Sequence, residues 1–279
     1  MTTTLRPAEP LQQTPDGGRV RVYDVCVNSR RVGSVRLTTA PGFGAGAGVI
    51  EDLGIDEQDR RRSRGTVAAL AAEEVLRGWG CREVMISVPA RAEAALRMAV
   101  ALGYAERSRN MLKDLPAEPP ALPDGLEVRP MTEAEFEPWR AEAQEGFAQS
   151  WMERGVPEEQ ARAKAAASHR ELLPQGLRSP GTAISVAVRD GETVGHVWTG
   201  ARELEPGVHG RYVYGIEVAE SHRGHGYGRA LMLLAERDTL GAGENRLGLH
   251  VFTGNIPAIR LYESLGYRTT HVNSYKTLL

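Results

Sequence analysis

Apolar and polar positions alternate with period two in several short runs of the chain's second half, the pattern that puts one face of a strand into a core. Thr182 to Arg189, Thr193 to Thr199, Arg211 to Val218 and Leu247 to Phe252 read this way, and Arg268 to Leu278 closes the chain as a last strand. Asp190-Gly191 separates the first two runs, and that dipeptide readily takes the left-handed backbone of a tight hairpin. Helical spacing takes over elsewhere. Glu133 to Phe147 follows Thr132, Val156 to Leu172 is Ala-rich with Pro157 in its first turn, and helices are predicted over Gly228 to Leu240 and Pro257 to Leu265. Mixed strands with helices on their faces predict an α/β layered domain.

The pattern occurs twice. Residues 83–104 and 246–267 each give an apolar run, a polar break, an amphipathic helix and then Leu-Gly-Tyr, with Leu102-Gly103-Tyr104 recurring 163 positions later as Leu265-Gly266-Tyr267. Upstream, Arg62 to Val67 falls opposite Arg223 to Gly228 at an offset of 161. The stretch from Leu115 to Gly125 holds four prolines and reads as a linker. The expected organisation is therefore a unit over 1–115, a linker over 116–125 and a second unit over 126–279.

Composition narrows the possibilities without choosing among them. The 279 residues are 41% hydrophobic and 25% charged with a net charge of −2, which gives no basic footprint for nucleic acid. No apolar run approaches the ~20 residues of a membrane span, and Met1 to Pro10 has no apolar signal core, so a cytoplasmic protein is expected. Cys26 and Cys81, the two cysteines, fit no zinc spacing and suit small core residues. No His, Cys and carboxylate cluster suggests a metal.

The chemistry concentrates after the third strand of the second unit. Val218-Ala-Glu-Ser-His-Arg-Gly-His-Gly-Tyr-Gly-Arg229 runs from strand into helix. Such a turn offers successive backbone N–H groups, and the positive end of a helix, to an anion. Gly224, Gly226 and Gly228 permit close approach to the main chain, and Arg223 and Arg229 can add charge-assisted bonds. No Gly-Lys-Ser/Thr follows, so it is no P-loop, and no acidic ribose partner lies about 20 residues on.

Arg223-x-x-Gly226-x-Gly228 after Ile216-Glu217-Val218 resembles the acyl-CoA pyrophosphate loop of the GCN5-related N-acetyltransferase (GNAT) superfamily. Asn255-x-x-Ala258-x-x-Leu261-Tyr262-Glu263-x-x-Gly266-Tyr267 is similar to that family's second cofactor motif. The resemblance implies two GNAT-like units, each with a mixed, mostly antiparallel central sheet flanked by helices, and acetyl-CoA as co-substrate. It also implies that Ile216 and Val218 pair with the pantetheine arm where two central strands splay apart. Arg223, Gly224, His225, Gly226, Tyr227, Gly228 and Arg229 would hold the diphosphate, and Asn255 would touch the cofactor.

Acetyl transfer to an amine needs a neutral nucleophile, a stabilised carbonyl oxygen and a proton for the departing thiolate. Tyr262 matches the family tyrosine that reaches the sulfur, although its apolar stripe also suits a core aromatic. His250 faces away from the aliphatic side of its strand and is one candidate base. Glu217 is the other, unless it only neutralises a nearby arginine. Phe136, Trp139, Phe147, Trp151 and Trp198 flank the expected acceptor groove, most of them as core.

At the offsets above, the first copy has Ser63 opposite Gly224, Val67 opposite Gly228, Ala92 opposite Asn255 and Ala99 opposite Tyr262. It is expected to be degenerate and non-catalytic. The expected activity is transfer of the acetyl group of acetyl-CoA to a small-molecule primary amine, by a monomer or homodimer with no nucleic-acid or membrane partner. A peptide or protein N-terminus, a mycothiol-synthase-like acceptor, and a non-catalytic acyl-CoA sensor are the alternatives.

Overall fold

In the computed structural model, which describes residues 3–43, 46–153 and 156–278, the chain's first half forms seven strands and two helices. They are β1 (Thr3–Pro7), β2 (Gln12–Gln13), β3 (Arg19–Val27), β4 (Arg30–Thr39), β5 (Ala47–Ile55), α1 (Arg64–Gly78), β6 (Glu83–Pro89), α2 (Glu93–Ala101) and β7 (Ala105–Asp114). The second half forms β8 (Glu127–Pro130), α3 (Glu133–Met152), α4 (Glu158–Leu172), β9 (Thr182–Arg189), β10 (Glu192–Glu205) and β11 (Val208–Val218). It closes with α5 (Tyr227–Gly241), β12 (Arg246–Phe252), α6 (Ile256–Ser264) and β13 (Arg268–Thr277). Asp190 and Gly191, at φ 52° and 84°, make the hairpin turn between β9 and β10 that the dipeptide predicts.

The chain folds into two units, and the division between them departs from the sequence expectation. Unit 1 is Met1–Ser108, Trp151–Pro157 and His271–Leu279, and unit 2 is Arg109–Ser150 and Glu158–Thr270. The boundary thus falls inside β7 and not at the proline-rich stretch, and the end of β13 belongs with the first unit. In unit 1 the sheet order is β1-β3-β4-β5-β6, with the C-terminal part of β13 antiparallel to β6 from His271↔Pro89 to Thr277↔Glu83. In unit 2 the order is β8-β9-β10-β11-β12, with the last part of β7 beside β12. Each unit is therefore completed by a strand from the other half of the sequence.

A buried charge marks each exchanged strand. In unit 1, Lys276 Nζ of β13 lies 2.7 Å from Glu73 of α1, whose side chain is 5% exposed, and 5.7 Å from the Tyr104 ring centroid. In unit 2, Lys113 Nζ of β7 lies 2.7 Å from Glu236 of α5, whose side chain is 1% exposed, and 5.6 Å from the Tyr267 ring centroid. Each of these residues has its counterpart 163 positions away. Burial, and then the neighbouring carboxylate, raises the pKa of both tyrosines.

The cores follow from the patterns. Val25, Val32, Val35 and Leu37 on β3 and β4 pack with Ala68, Ala72 and Leu76 of α1 in unit 1. In unit 2, Leu231, Leu234 and Ala235 of α5 and Ile259 and Tyr262 of α6 cover one face of the sheet through Val197, Val213, Leu249 and Val251. Phe136 and Trp139 of α3 cluster with Ile184, Val186 and Trp198 on the other face. Among the described residues no helix is long and apolar enough to cross a membrane.

Candidate active site

The two parallel strands at the middle of unit 2 part company partway along. β11 and β12 pair through Arg211↔Leu247, Tyr212↔Gly248 and Val213↔Leu249. Beyond that register β11 continues to Val218 paired only with β10, and β12 continues to Phe252. The strands therefore part between Tyr214–Val218 and His250–Phe252, the region where the family resemblance implies a slot.

The turn beyond β11 enters α5 through two left-handed glycines. A 3-10 turn over Glu220–His222 is closed by His222 N–H to Ala219 O (2.8 Å) and Arg223 N–H to Glu220 O (3.3 Å). Gly224 and Gly226 then take φ of 82° and 84°, and Gly226 caps α5. No backbone hydrogen bond among the described residues engages the N–H groups of residues 224–226, and a turn of this kind can present successive N–H groups to an anion. Cβ atoms built on Gly224 and Gly226 would meet nothing within 4 Å, so the cradle is open. Gly228 faces inward: its Cβ would lie 3.3 Å from Leu261 Cδ2. Arg229 is held by Ser264 Oγ, while Arg223 Nε reaches Val218 O at 3.4 Å. His225 is exposed, and His222 lies 3.6 Å from Glu192. Tyr227 packs its ring near both histidines, at 6.1 and 6.3 Å between centroids.

Asn255 does what an N-cap residue does: its side chain accepts a hydrogen bond from Ala258 N–H at 3.2 Å, with Pro257 in the first turn of α6. One and two turns on, Ile259 and Tyr262 are buried, and the Tyr262 ring stacks edge-on to Tyr267 at 6.1 Å. Burial raises the Tyr262 pKa to about 12, so this phenol keeps its proton throughout the neutral range.

The strand faces sort the other candidates. Ile216 and Val218 pack toward the α5 side, which turns Glu217 toward the α3 side. Leu249 and Val251 likewise go into the α5 cluster, so His250 and Phe252 face the α3 side and are exposed, with their rings 4.8 Å apart. Tyr262 thus approaches from one face of the sheet, and Glu217 and His250 project from the other. Among the described residues Glu217 pairs with no arginine; its partner is His196, Nε2 to Oε2 3.9 Å, a residue the sequence did not single out. The Asp190-Gly191 hairpin and the alternation through Trp198 are the signals that would have put His196 on this face.

The aromatic residues are mostly core, as expected. Phe136, Trp139 and Trp198 are buried together, and the Trp139 ring lies nearly perpendicular to those of His196 (5.9 Å) and Trp198 (5.5 Å). Trp151 falls in unit 1. Tyr212 and Tyr214 lie on the α3 side under Arg202, whose guanidinium is 4.3 Å from the Tyr212 centroid. Among the described residues, no group of three His, Cys, Asp or Glu could hold a metal ion.

Unit 1 corrects the alignment of its turn. The 3-10 turn over Glu57–Asp59, the left-handed Arg61 (φ 58°) and Ser63 (φ 55°), and the start of α1 at Arg64 all fall 163 positions before their counterparts. The offset of 161 is therefore wrong by two. Ser63 stands opposite Gly226 and Gly65 opposite Gly228, while Val67 is opposite Ala230. The shift escaped the sequence because Arg61 and Ser63 hold a conformation glycine ordinarily marks. β5 and β6 also part after Ile50↔Ile86, the counterpart of Val213↔Leu249. Chemistry is what differs. Ala99 replaces Tyr262, Ala92 provides no side-chain cap, and Asp59, 2% exposed, is bound by Arg64 and bidentately by Arg30 at 2.7 and 2.9 Å.

The chain is similar to known proteins. The family model described as "Acetyltransferase (GNAT) family" matches residues 4–104 and again 136–267. The chain is 31% identical over 249 residues to a mycothiol acetyltransferase of Thermomonospora curvata, covering 84% of this chain and 74% of that protein. It is 30% identical over 150 residues to the uncharacterized N-acetyltransferase YdgE of Bacillus subtilis, covering 53% of this chain and 95% of that protein. Among solved structures, a tandem GNAT protein from the clavulanic acid biosynthesis pathway, without AcCoA, aligns with a TM-score of 0.53. That match covers 95% of this chain and 85% of the other at 18% identity, a likeness of fold.

Proposed function

Because the chain belongs to the acetyltransferase (GNAT) family, we propose that its second unit moves the acetyl group of acetyl-CoA onto the primary amine of a small molecule by direct attack. The family uses acetyl-CoA as co-substrate, and the open glycine cradle after β11 is the observation that supports its place here. Main-chain N–H groups of residues 224–226 and the start of α5 would receive the diphosphate, with Arg223 adjusting its charge. Ile216 and Val218 offer the pantetheine arm an unpaired strand edge. Bound acetyl-CoA supplies an activated acyl group with a thiolate leaving group.

The chain's own residues then divide the work by face. Tyr262, protonated at neutral pH and on the α5 side, would give the departing sulfur its proton. Glu217 and His250, on the α3 side, are the two groups marked by the sequence that assist loss of a proton from the amine. A mycothiol-type acceptor is a second reading, favoured by the identity with the Thermomonospora protein over most of this chain.

The test is release of CoA thiol from acetyl-CoA, followed with a panel of primary amines. Thiol release that requires both an amine and acetyl-CoA is the expected result. Tight acetyl-CoA binding with no thiol release from any amine would replace the transferase with a sensor. His250→Ala separates the two groups on the α3 side: an altered acidic limb of the pH–rate profile would implicate His250, an unaltered one Glu217 and its surroundings.

A further inference from the structure

His196 and Glu217 occupy directly opposed positions on β10 and β11. Opposed residues of antiparallel strands project from the same face, here the α3 face beside the slot. Their 3.9 Å separation is too long for a hydrogen bond between them. It is, however, short enough for one ammonium nitrogen to sit roughly 2.8 Å from both acceptors. The Trp139 ring of α3 lies nearly perpendicular to the imidazole, with 5.9 Å between centroids. Glu142 of α3 is the other charged group that faces the imidazole, and β9 offers Val186 at this register. Burial lowers the His196 pKa against the opposing pull of Glu217 and Glu142, so the ring is neutral, and able to accept a proton, at neutral pH. In unit 1 the same opposed positions are Ser34 and Gly54, so this pair occurs only in the unit that also has the tyrosine of α6.

We propose that this pair receives the acceptor: the Glu217 carboxylate holds a basic primary amine as its ammonium ion, and His196 Nε2 takes its proton. The inference rests on the transferase reading and adds to it a proton acceptor and a class of substrate, amines that arrive positively charged. The ammonium N–H bond breaks to His196 Nε2, and that proton passes to solvent. The freed lone pair then forms the N–C bond at the thioester carbonyl. As the C–S bond breaks, Tyr262 gives its proton to sulfur and is reprotonated by the N–H proton of the adduct. The products are the acetamide and CoA thiol, with one proton released.

The experiment compares wild type, His196→Gln and Glu217→Gln with 2-phenylethylamine, which is protonated at pH 7, and 2,2,2-trifluoroethylamine, which is largely neutral there. For the first amine, His196→Gln is expected to lower kcat/KM on the order of 100-fold and to abolish the acidic limb. Glu217→Gln should raise KM for the same amine and move the acidic limb to lower pH, since its carboxylate holds the imidazole pKa up. For trifluoroethylamine, which arrives without the extra proton, both variants should lose markedly less, and acetyl-CoA affinity equal to wild type in calorimetry shows that they fold. Equal losses for the two amines, or an acidic limb that survives His196→Gln, would overturn the assignment of His196 alone. A wild type that turns over neither amine, nor any other in the panel, would overturn the transferase reading and His196 with it.

Discussion

The turn after β5 and the turn after β11 follow the same path: a short 3-10 turn, two left-handed residues, then a helix. In unit 2 the left-handed positions are Gly224 and Gly226, whose open surroundings leave the main chain approachable. In unit 1 they are Arg61 and Ser63, and Arg64 is drawn inward onto the buried Asp59. The strands part at the same register in both. Backbone and core were kept in both copies, whereas the side chains that would move protons stand only in the second. Scaffold and chemistry are separable in part: a sheet needs its apolar alternation to fold, and the exposed His250 and Glu217 lie outside that core, whereas Tyr262 belongs to it.

The largest contrast should come from the two glycines at the helix starts. Gly228→Val, which crowds Leu261 and the floor of the cradle, is expected to weaken acetyl-CoA binding to unit 2 by a factor of about 100 or more in calorimetry, equivalent to roughly 2.7 kcal/mol. Gly65→Val, at the same place in unit 1, should leave turnover as it is. Equal losses from both would show that the copies share the work.

Next comes the tyrosine. Tyr262→Phe is expected to lower kcat on the order of 100-fold with little change in acetyl-CoA affinity. Its pKa of about 12 means the phenol remains an acid below that pH, so the wild-type rate should show no decline through the ordinary tyrosine range near 10. A variant with wild-type turnover would leave unit 2 no better equipped than unit 1 at this position. Ala99→Tyr in unit 1 should add nothing.

Where the units are alike, they should respond alike. Lys113→Met leaves Glu236 buried without its cation and should destabilise unit 2 by about 3 kcal/mol, and Lys276→Met should do the same to unit 1 through Glu73. Hydrogen exchange resolves which unit loosens in each variant. Loosening of the opposite unit would mean that the exchanged strands were assigned to the wrong sheets.

The smallest effect belongs to a feature of unit 2 alone, the start of α3. Glu135 accepts from Thr132 N–H (2.8 Å) and from Arg129 (2.7 and 2.8 Å), which holds its pKa down at about 2 from an ordinary 4.5. The folded value is the lower one, so its stabilisation is complete above about pH 4.5 and is lost as pH falls toward 2. Glu135→Gln should cost about 0.5–1 kcal/mol at pH 7, and the difference should vanish near pH 2 in denaturant titrations.

Much of this was legible in the sequence. The splayed slot was implied by the family resemblance alone, whereas the strand and helix assignments of unit 2 apart from β8, the N-cap at Asn255 and the buried Tyr262 follow from alternation, capping chemistry and spacing. Three features did not. The strand exchange is invisible because β7 and β13 are copies of one pattern, each with its lysine at the same place, and either would fit either sheet. The register of the first turn is hidden by left-handed residues that are not glycine. His196 shows its role only when β10 is laid against β11, because a single strand does not reveal what stands across from it.

The most direct measurement is a crystal structure of the protein with acetyl-CoA bound. The diphosphate is expected on the N–H groups of residues 224–226, with the acetyl group in the slot between Tyr214–Val218 and His250–Phe252. A diphosphate bound elsewhere, with that turn vacant and the fold intact, would contradict it.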